Sequence, residues 1–414
     1  MSIRERLYPG DAEAPVLVRH CADARFVYNL GLEQRNYWRR GIPSISIHDQ
    51  SRSLTEARKH TWLGEGSSSI QRQALRDLDR AFQNWWKNPG HFSRPTWRKA
   101  GVHEGFAIRD LSVRRLSRRW GEVLVPKCGR VRFRVTRQWA DIRSATSARV
   151  SLDRAGRWHV SFTAPPPAFC RRPTGATVGL DMGIAATVTT SDGVHFRMPK
   201  PLTPGEAQRK RRLQRKLARQ KRGSNRRERT KHQIARLSAR ETDRRKDWIE
   251  QTTTALVRDC DLICIEDLRV KNMVRSASGT AEHPGKRVRQ KAGLNRSIQS
   301  QAWALFRTRL TDKAAAAADL DGSPRPVEVV AVPPAYTSQR CSACGHTAKE
   351  NRESQAVFRC RSCGYAANAD VNAAVNIQAA GLAVTGRRGT SHDQPATVDH
   401  SDPMKRQPPG LVAA

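Results

Sequence analysis

The stretch that decides the fold lies between Cys341 and Asp370. It holds Cys341-Ser-Ala-Cys344, then Cys360-Arg-Ser-Cys363 after fifteen intervening residues, and then Asn368-Ala-Asp370. Two thiolate pairs at this spacing predict a tetrahedral zinc site, and four thiolates leave no open coordination position, so the ion would be structural. Gly345 and Gly364 directly follow the two pairs and permit the tight turns that such a site needs. Four unrelated core cysteines are the alternative.

The composition predicts a nucleic-acid-binding protein of several modules. At 414 residues the chain is longer than one hydrophobic core usually organises. Its 75 Lys and Arg residues exceed its 38 Asp and Glu residues, which gives a net charge of +37. Such a surplus favours a polyphosphate partner, because neutralised phosphates release condensed counterions. An anionic membrane is the rival partner, but no apolar run approaches about 20 residues, so we expect no membrane association.

The ends and the cysteines indicate a compartment. The first residues, Met1 to Arg6, lack the apolar core of a secretory signal. Five cysteines outside the two pairs are scattered through apolar settings and form no second framework: Cys21, Cys128, Cys170, Cys260 and Cys264. Both features fit the reducing cytoplasm of a bacterium.

Three carboxylates stand in comparable contexts. Asp181 lies within the apolar run from Thr177 to Ile184, Glu266 ends the run from Leu262, and Asp370 stands at a predicted helix start. Each alone could be a hydrogen-bonded core residue, a strand end or a helix cap. Together, buried acids of this kind repel one another unless cations compensate them. Two Mg²⁺ ions about 4 Å apart would do so, and would promote phosphodiester hydrolysis.

Hydrophobic periodicity divides the first half of the chain. Apolar residues recur at helical intervals between residues 13 and 90. From about residue 104 to residue 166 the period changes to two, and Val150 to Phe162 reads as a hairpin turning at Arg154-Ala155-Gly156-Arg157. These patterns predict a small β-barrel or a strongly bent sheet that carries a helical insert.

Residues 209–248 form the most basic part of the chain. They hold eighteen Lys or Arg residues and four Asp or Glu residues, and Gly223-Ser224-Asn225 is expected to divide them into two antiparallel helices. A charge run is most often a solvated helix face. Because this one would repel itself without a polyanion, RNA or an RNA–DNA heteroduplex is the expected counter-charge.

Several motifs in chain order carry a resemblance to a known family. They are Arg6-Leu-Tyr-Pro9, Cys21-Ala-Asp-Ala-Arg25, Gly179-Leu-Asp181-Met-Gly183, Ile265-Glu266-Asp267-Leu268, Tyr336-Thr-Ser-Gln-Arg-Cys341 and Asn368-Ala-Asp370-Val-Asn372. The chain resembles the TnpB (OrfB-type) proteins of insertion sequences over residues 7 to 381. That family is related to compact type V CRISPR effectors and to Fanzor proteins. The strand before Arg6 is shorter than in the family, so we expect the first barrel strand to be clipped.

The resemblance implies a multidomain α+β fold: a wedge β-barrel with a helical recognition insert, and a RuvC nuclease domain of the RNase H-like α/β type interrupted by a four-cysteine zinc ribbon. It places the modules at 1–12 and 91–172 (wedge-like barrel), 13–90 (recognition insert), 173–335 (RuvC-like nuclease with a basic helical hairpin at 204–258), 336–366 (zinc ribbon that binds target nucleic acid), 367–385 (RuvC-like C-terminal helix) and 386–414 (disordered tail).

The resemblance also assigns roles to single residues. It implies catalytic, Mg²⁺-binding acids at Asp181, Glu266 and Asp370, with two ions expected. It implies structural Zn²⁺ ligands at Cys341, Cys344, Cys360 and Cys363. From the charge pattern we expect nucleic-acid contacts from Arg211, Arg212, Arg215, Lys216, Arg219, Arg226, Arg227 and Lys271.

The implied function is RNA-guided, Mg²⁺-dependent cleavage of target DNA by a single RuvC site, with a guide RNA and a target DNA as partners. A strand-transferring transposase is an alternative, although such enzymes usually present their acids in the order Asp, Asp, Glu, and here the order is Asp, Glu, Asp. A guide-directed DNA-binding regulator without cleavage is the second alternative. A CRISPR effector would differ by its genomic neighbourhood and not by its chemistry.

Overall fold

The computed structural model describes residues 2–37, 41, 44–164, 168–280 and 282–386. The tail predicted from residue 386 therefore lies, beyond Gly386, outside the described residues. The helices, in chain order, are α1 (Glu13–Asn36), α2 (Ile47–His60), α3 (Ser68–Lys87), α4 (Trp139–Arg143), α5 (Pro204–Arg219), α6 (Asn225–Asp259), α7 (Val270–Met273), α8 (Val288–Gln301), α9 (Trp303–Ala315) and α10 (Ala369–Thr385).

The chain contains strands as well as these helices, so the fold is mixed α/β. In chain order they are β1 (Ser2–Tyr8), β2 (Glu104–Ile108), β3 (Val113–Arg115), β4 (Trp120–Val125), β5 (Gly129–Arg134), β6 (Ser147–Leu152), β7 (Trp158–Thr163), β8 (Phe169–Cys170), β9 (Thr177–Asp181), β10 (Val188–Thr190), β11 (His195–Phe196), β12 (Leu262–Glu266), β13 (Ala317–Ala318), β14 (Glu328–Val332), β15 (Val357–Arg359) and β16 (Ala366–Asn368).

The chain divides into two units. The first contains the chain up to Pro173 together with residues 198–259 and 304–327, and the second contains residues 174–197, 260–303 and the chain from Glu328 onward. Among the helices that the structure describes, none combines the length and the apolar character that a membrane span requires.

The first unit is built on an antiparallel seven-stranded sheet. Its strand order is β2-β6-β7-β1-β5-β4-β3. β1 pairs with β7 through residues 2–6 and with β5 through Leu7 and Tyr8, so it passes from one half of the sheet to the other. The predicted hairpin is confirmed, because β6 and β7 pair from Ser147 to Thr163 around a turn at residues 153–157.

Alternation along these strands creates the core. Val131 and Phe133 of β5 are fully buried, whereas Arg132 between them is exposed. Helices α1 and α3 pack against each other and against β2, and they bury Leu17 and Leu78 in the same core. The predicted helical periodicity is therefore confirmed, but Leu30 lies on the outside of α1 with 37 % of its surface exposed.

The basic segment forms the predicted antiparallel helix pair. Helix α5 ends at Arg219 and α6 begins at Asn225, and an ion pair between Lys210 and Glu241 links the two. The hairpin belongs to the first unit, whereas the sequence placed it within the 173–335 segment. The reason is its contacts: His232 Nε2 lies 3.0 Å from the carbonyl oxygen of Ala155, in the turn between β6 and β7.

The second unit contains a five-stranded sheet in the order β11-β10-β9-β12-β14. β9, β12 and β14 are parallel, β10 runs antiparallel to β9, and β11 runs antiparallel to β10. A turn at residues 191–193 joins β10 to β11. The three parallel strands carry their carboxyl ends to one edge, where polar side chains of parallel sheets meet.

Helix α10 covers β9 and β12, and two glycines allow its close approach. A Cβ atom at Gly179 of β9 would lie 2.0 Å from the carbonyl oxygen of Ala374, and one at Gly381 would lie 2.1 Å from Sγ of Cys264. Between them Ile377 packs into a core with Cys264. Helix α10 starts beside the segment that holds the four cysteines, residues 336–366, which we call the cysteine module. The helix is therefore held directly against β9 and β12, the strands that carry Asp181 and Glu266.

Candidate active site and metal centre

The four predicted zinc ligands converge. Sγ of Cys341 lies 3.8 Å from Sγ of Cys363, Sγ of Cys344 lies 3.6 Å from Sγ of Cys360, and all four sulfurs are within 4.8 Å of one another. A tetrahedral ion with metal–sulfur bonds of about 2.3 Å separates its thiolates by about 3.8 Å, so the donor set fits Zn²⁺.

The turns that bring the sulfurs together are glycine turns, as predicted. Gly345 and Gly364 have φ angles of +78° and +73°, a region that only glycine adopts without strain. Backbone N–H groups, foremost that of Cys363, lower the pKa of Cys360 to about 6. The backbone thus favours the thiolate form that a metal requires.

The cysteine module fixes the start of helix α10. Asn368 is the N-cap, since its Oδ1 accepts hydrogen bonds from the backbone N–H groups of Asp370 (3.0 Å) and Val371 (3.2 Å). Asp370 is therefore not the cap, and its carboxylate remains available for another role. Asn372 reinforces the junction, because its Oδ1 accepts from the N–H of Ser342 at 3.0 Å.

Asp181 and Glu266 stand at the ends of neighbouring parallel strands. Leu180 of β9 lies opposite Ile265 of β12. Asp181 and Glu266 each follow by one residue, so they lie opposite each other where the two strands end. Desolvation raises the pKa of Asp181 to about 7, and the charges of Glu266 and then Asp370 contribute. Glu266 and Asp370 thus lie close enough to Asp181 for their charges to influence its ionisation.

Glu266 is almost completely buried, with 7 % of its surface exposed. Burial raises the pKa of its carboxyl group, and a hydrogen bond from the hydroxyl of Thr337 to Oε1 at 2.7 Å opposes that rise. Thr337 was not expected from the sequence to act here. Its place in the run from Tyr336 to Cys341 was the available signal.

Arg352 is the counter-charge of the cluster. Its Nη2 lies 3.3 Å from Oδ1 of Asp370, and its charge lowers the pKa of Asp181. Arg352 belongs to the loop between the two cysteine pairs, so the module that holds the thiolates also supplies a cation to the acids. Sequence reasoning missed this residue because no spacing rule relates it to Asp370.

The acids form a looser arrangement than the thiolates. Within the described part of the chain, the four cysteines are the only set of three or more potential ligands that lie close enough to share one ion. The carboxylates of Asp181, Glu266 and Asp370 are not gathered in that way, which like-charge repulsion explains. Arrangements of this kind suit two ions that share one acid better than a single ion bound by all three.

The predicted nucleic-acid-binding residues fall into three groups. Five of them line a cleft of about 750 Å³ between α5 and α6: Arg212, Arg215, Lys216, Arg219 and Arg226. Arg229 lines the same cleft and was missed by the sequence. Arg211 on α5 and Lys271 on α7 are exposed elsewhere. Arg227 is engaged differently, because its Nη1 donates to the carbonyl oxygens of Leu217 and Gln220 and so caps the end of α5.

The structure has a mixed α/β fold, a four-cysteine cluster that could hold a metal, and neighbouring acids at strand ends. These features can be compared with those of known protein families. Two family models match, "Probable transposase" of the OrfB type over residues 166–277 and "Cas12f1-like, TNB domain" over residues 303–377. An Escherichia coli K12 protein named "Putative RNA-guided DNA endonuclease InsQ" is 36% identical over 99% of this chain and 97% of its own length. The chain belongs to the TnpB (OrfB-type) family.

Two further comparisons agree with that assignment. A Streptomyces pristinaespiralis protein, also described as an RNA-guided DNA endonuclease, is 32% identical over 93% of this chain and 90% of its own length. The solved complex of Cas12f1 with sgRNA and target DNA has a TM-score of 0.53 at 14% identity, covering 89% of this chain and 82% of that one. The latter likeness concerns the fold alone.

Proposed function

We propose that this chain is an RNA-guided, Mg²⁺-dependent DNA endonuclease encoded by an insertion sequence and acting in the bacterial cytoplasm. One observation carries the proposal: Glu266 and Asp370, which the family motifs mark as acids together with Asp181, lie close enough to Asp181 for their charges to help raise its pKa at one edge of a sheet. Two relatives that match most of the chain have the words "Putative RNA-guided DNA endonuclease" in their names. We therefore expect a guide RNA and a target DNA as partners.

The domain roles follow from the same family. We assign the seven-stranded sheet of the first unit to the wedge barrel and helices α1 to α3 to the recognition insert. The five-stranded sheet with α10 is the RuvC-like nuclease, and the cysteine module is its inserted zinc ribbon, which contacts target nucleic acid. The cleft between α5 and α6 would hold the backbone of RNA or of a heteroduplex, because its cations outnumber the nearby acids.

The cleavage chemistry requires divalent cations, and the acids are suited to hold them. Asp181 would contact both ions, while Glu266 and Asp370 would each complete one site. When bound, the ions supply the charge that lowers the pKa of the attacking water and stabilises the leaving oxygen. The products would be a 3′-hydroxyl and a 5′-phosphate.

The surrounding side chains prepare the acids for this task. The hydroxyl of Thr337 orients the buried carboxylate of Glu266, and Arg352 compensates the charge of Asp370 while no divalent cation is bound. Both cooperating residues come from the cysteine module, so structural Zn²⁺ on the four thiolates would stabilise the cluster indirectly. We expect one zinc ion per chain, and its removal by a thiol-reactive agent should abolish cleavage even when Mg²⁺ is present.

The test begins with RNA that co-purifies with the chain. Sequencing that RNA gives the guide, and the ribonucleoprotein is then incubated with a plasmid that carries the matched target, with and without Mg²⁺. We expect cleavage only with Mg²⁺ and with the matched plasmid. Asp181→Ala should abolish cleavage while RNA and target binding persist, and Asp192→Ala, on the exposed turn between β10 and β11, is the matched control.

Two outcomes would contradict the proposal. Loss of RNA binding together with cleavage in Asp181→Ala would remove the acid from a catalytic role. A ribonucleoprotein that binds the matched plasmid and leaves it uncut would favour a DNA-binding regulator. Joining of transposon ends to a target in a strand-transfer assay would instead favour a transposase.

A further inference from the structure

A second basic cleft lies in the first unit, apart from the one between α5 and α6. It has a volume of about 310 Å³ and is lined by four arginines and two small residues: Arg6, Ala155, Gly156, Arg157, Arg236 and Arg240. These residues come from β1, from the turn between β6 and β7, and from α6. No carboxylate belongs to the lining of this cleft as the structure describes it.

Two of the arginines are held in place by acids behind the cleft. Nε of Arg157 donates to Oδ2 of Asp153 at 2.7 Å, and its Nη1 donates to Asp243 at 2.5 Å. Nη1 of Arg240 donates to Oε1 of Glu206 at 3.2 Å. Fixed guanidinium groups lose little conformational freedom when they bind a further anion.

The other two arginines have no such partner. Within the described residues, the guanidinium groups of Arg6 and Arg236 form no ion pair and no hydrogen bond, and Arg6 only lies over the ring of Tyr8 at 5.7 Å. Burial and the charge of Arg157 lower the pKa of Arg6. The carboxylates of Asp153 and Asp243 act on Arg6 only through their charge. Two cations without a direct ion pair therefore face one cleft beside two oriented ones, and an anion would compensate them.

The shape of the cleft favours a phosphate group on a chain. Gly156 has a φ of +76° and no side chain, and His232 packs against it with Nε2 3.0 Å from the place where a Cβ would lie. Guanidinium forks match the oxygens of a phosphodiester and can bind two of them at once. The volume of about 310 Å³ accommodates one phosphate with the adjoining sugar.

We propose that this cleft holds one phosphodiester group of the guide RNA and so ties the RNA to the junction between the β6–β7 turn and α6. The identity of the RNA rests on the proposed function. RNA is favoured over DNA because the guide has to be held before any target DNA is met. A guide is also bound for the lifetime of the complex, which suits an oriented site.

The experiment measures RNA binding by the double variant Arg6→Gln/Arg236→Gln in the full chain. The probe is the RNA that co-purifies with the wild type, transcribed in vitro, and single- and double-stranded DNA of the same sequence are parallel arms. Arg258→Gln is the matched control, since Arg258 lies on the same helix and pairs with its neighbour Asp259. Circular dichroism and thermal melting establish that each variant is folded.

Loss of one phosphate contact makes a quantitative prediction. The slope of log affinity against log salt should fall by about 0.7 to 0.9, and RNA affinity near physiological salt should fall about fivefold. In the double variant, ethylation of one RNA phosphate that interferes with binding to the wild type should no longer interfere, and the other interfering positions should be unchanged. DNA binding should change no more than it does in Arg258→Gln.

Other results overturn the inference and leave the proposed function standing. A salt slope and an interference pattern equal to those of Arg258→Gln would show that the cleft holds no RNA phosphate. A loss confined to DNA would assign the cleft to DNA. If instead the wild type carries no RNA and cuts no matched plasmid, the proposed function itself fails. The RNA content and the cleavage activity of the wild type are therefore measured before the variants are compared.

Discussion

Nη2 of Arg352 lies 3.3 Å from Oδ1 of Asp370, so the loop between the cysteine pairs places a cation on an acid that we assign to Mg²⁺. Both side chains are more than half buried, with 31% and 16% of their surfaces exposed. The pair therefore compensates charge at the cluster, and a divalent cation that binds Asp370 has to compete with it.

Arg352→Gln is expected to tighten divalent binding, because the competing guanidinium is removed. The Mn²⁺ concentration that gives half of the maximal thermal stabilisation should fall about threefold, in keeping with about 0.7 kcal/mol for a partly exposed ion pair. Differential scanning fluorimetry with a Mn²⁺ titration measures this. Arg359→Gln, which removes a partner of Glu353 in the same module, should leave the titration unchanged. A higher requirement for Mn²⁺ in Arg352→Gln would contradict the competition.

Thr337→Val tests the only hydroxyl that the structure places on Glu266 among the described residues. Leaving a buried carboxylate without this donor should cost about 1–3 kcal/mol of unfolding free energy. It should also raise the already raised pKa of Glu266, so a larger fraction is protonated at neutral pH. The cleavage rate should therefore fall at pH 7 and recover in part as the pH increases.

Urea unfolding and the pH dependence of cleavage measure the two effects of Thr337→Val. Thr337→Ser retains the hydroxyl and should behave nearly as the wild type in both measurements. If Thr337→Ser loses stability and Thr337→Val does not, packing of the methyl group, and not the hydrogen bond, explains the position.

The basic hairpin offers a comparison between a groove residue and a capping residue. Arg215→Gln/Arg219→Gln removes two cations of the cleft between α5 and α6, so the salt slope of RNA binding should fall by about 0.7 to 0.9 for each phosphate lost. Arg227→Gln removes the donor to the carbonyl of Gln220 and should cost about 1 kcal/mol of stability. Its RNA affinity should remain within about twofold of the wild type. The opposite pattern would reverse the two roles.

The sequence could predict what depends on spacing and local pattern. The cysteine quartet, the glycine turns and the break at Gly223 all follow from residues near one another in the chain. It could not predict interactions that long-range packing decides. In the sequence Arg227 cannot be told from the neighbouring arginines, and its contact with the end of α5 is visible only in the structure. The ion pair between Arg352 and Asp370 likewise depends on the folding of the cysteine module.

The same limit applies to the grouping of segments. Alternation and charge predicted the helix pair, yet its inclusion in the first unit depends on single contacts such as that of His232 with Ala155. The three acids were identified by their place at strand and helix ends. The effect of Glu266 and Asp370 on the ionisation of Asp181 depends on the register of β9 and β12, which no local pattern states.

His159 makes the stability of the fold depend on pH. Burial, followed by the charge of Arg4, lowers the pKa of its imidazole to about 4, although Nε2 lies 3.2 Å from Oδ2 of Asp153. In the unfolded chain the pKa is near about 6.5. Stability from the neutral ring is therefore complete above that value and is lost as the pH falls toward 4. Between pH 7.5 and pH 5 the loss should be about 2 kcal/mol.

Urea unfolding over that pH range compares the wild type with His159→Gln, in which this contribution to the pH dependence should disappear. His60→Gln is the control, because His60 is exposed on α2 and its ring contacts only Glu56 in an ion pair. The window stays above the range in which Asp153, whose pKa is lowered, takes up its proton. Equal pH dependence in His159→Gln and the wild type would contradict the assignment.

Gly179→Ala tests how α10 is positioned. The added Cβ would lie 2.0 Å from the carbonyl oxygen of Ala374 and 2.7 Å from the backbone nitrogen of Gln378, so the helix has to move away from β9. Overpacking of this kind costs about 1–3 kcal/mol. Since α10 carries Asp370, the cleavage rate should fall even at temperatures where the variant is folded.

The control is Gly205→Ala in the first turn of α5, where a Cβ would meet no atom within 4 Å. It should preserve both stability and cleavage. Thermal unfolding gives the stability of each variant, and cleavage is measured well below the lower melting temperature so that only folded protein is compared. Full activity of folded Gly179→Ala would mean that the distance between β9 and α10 does not set the position of Asp370, because the displaced helix would still present its acid to Asp181 and Glu266.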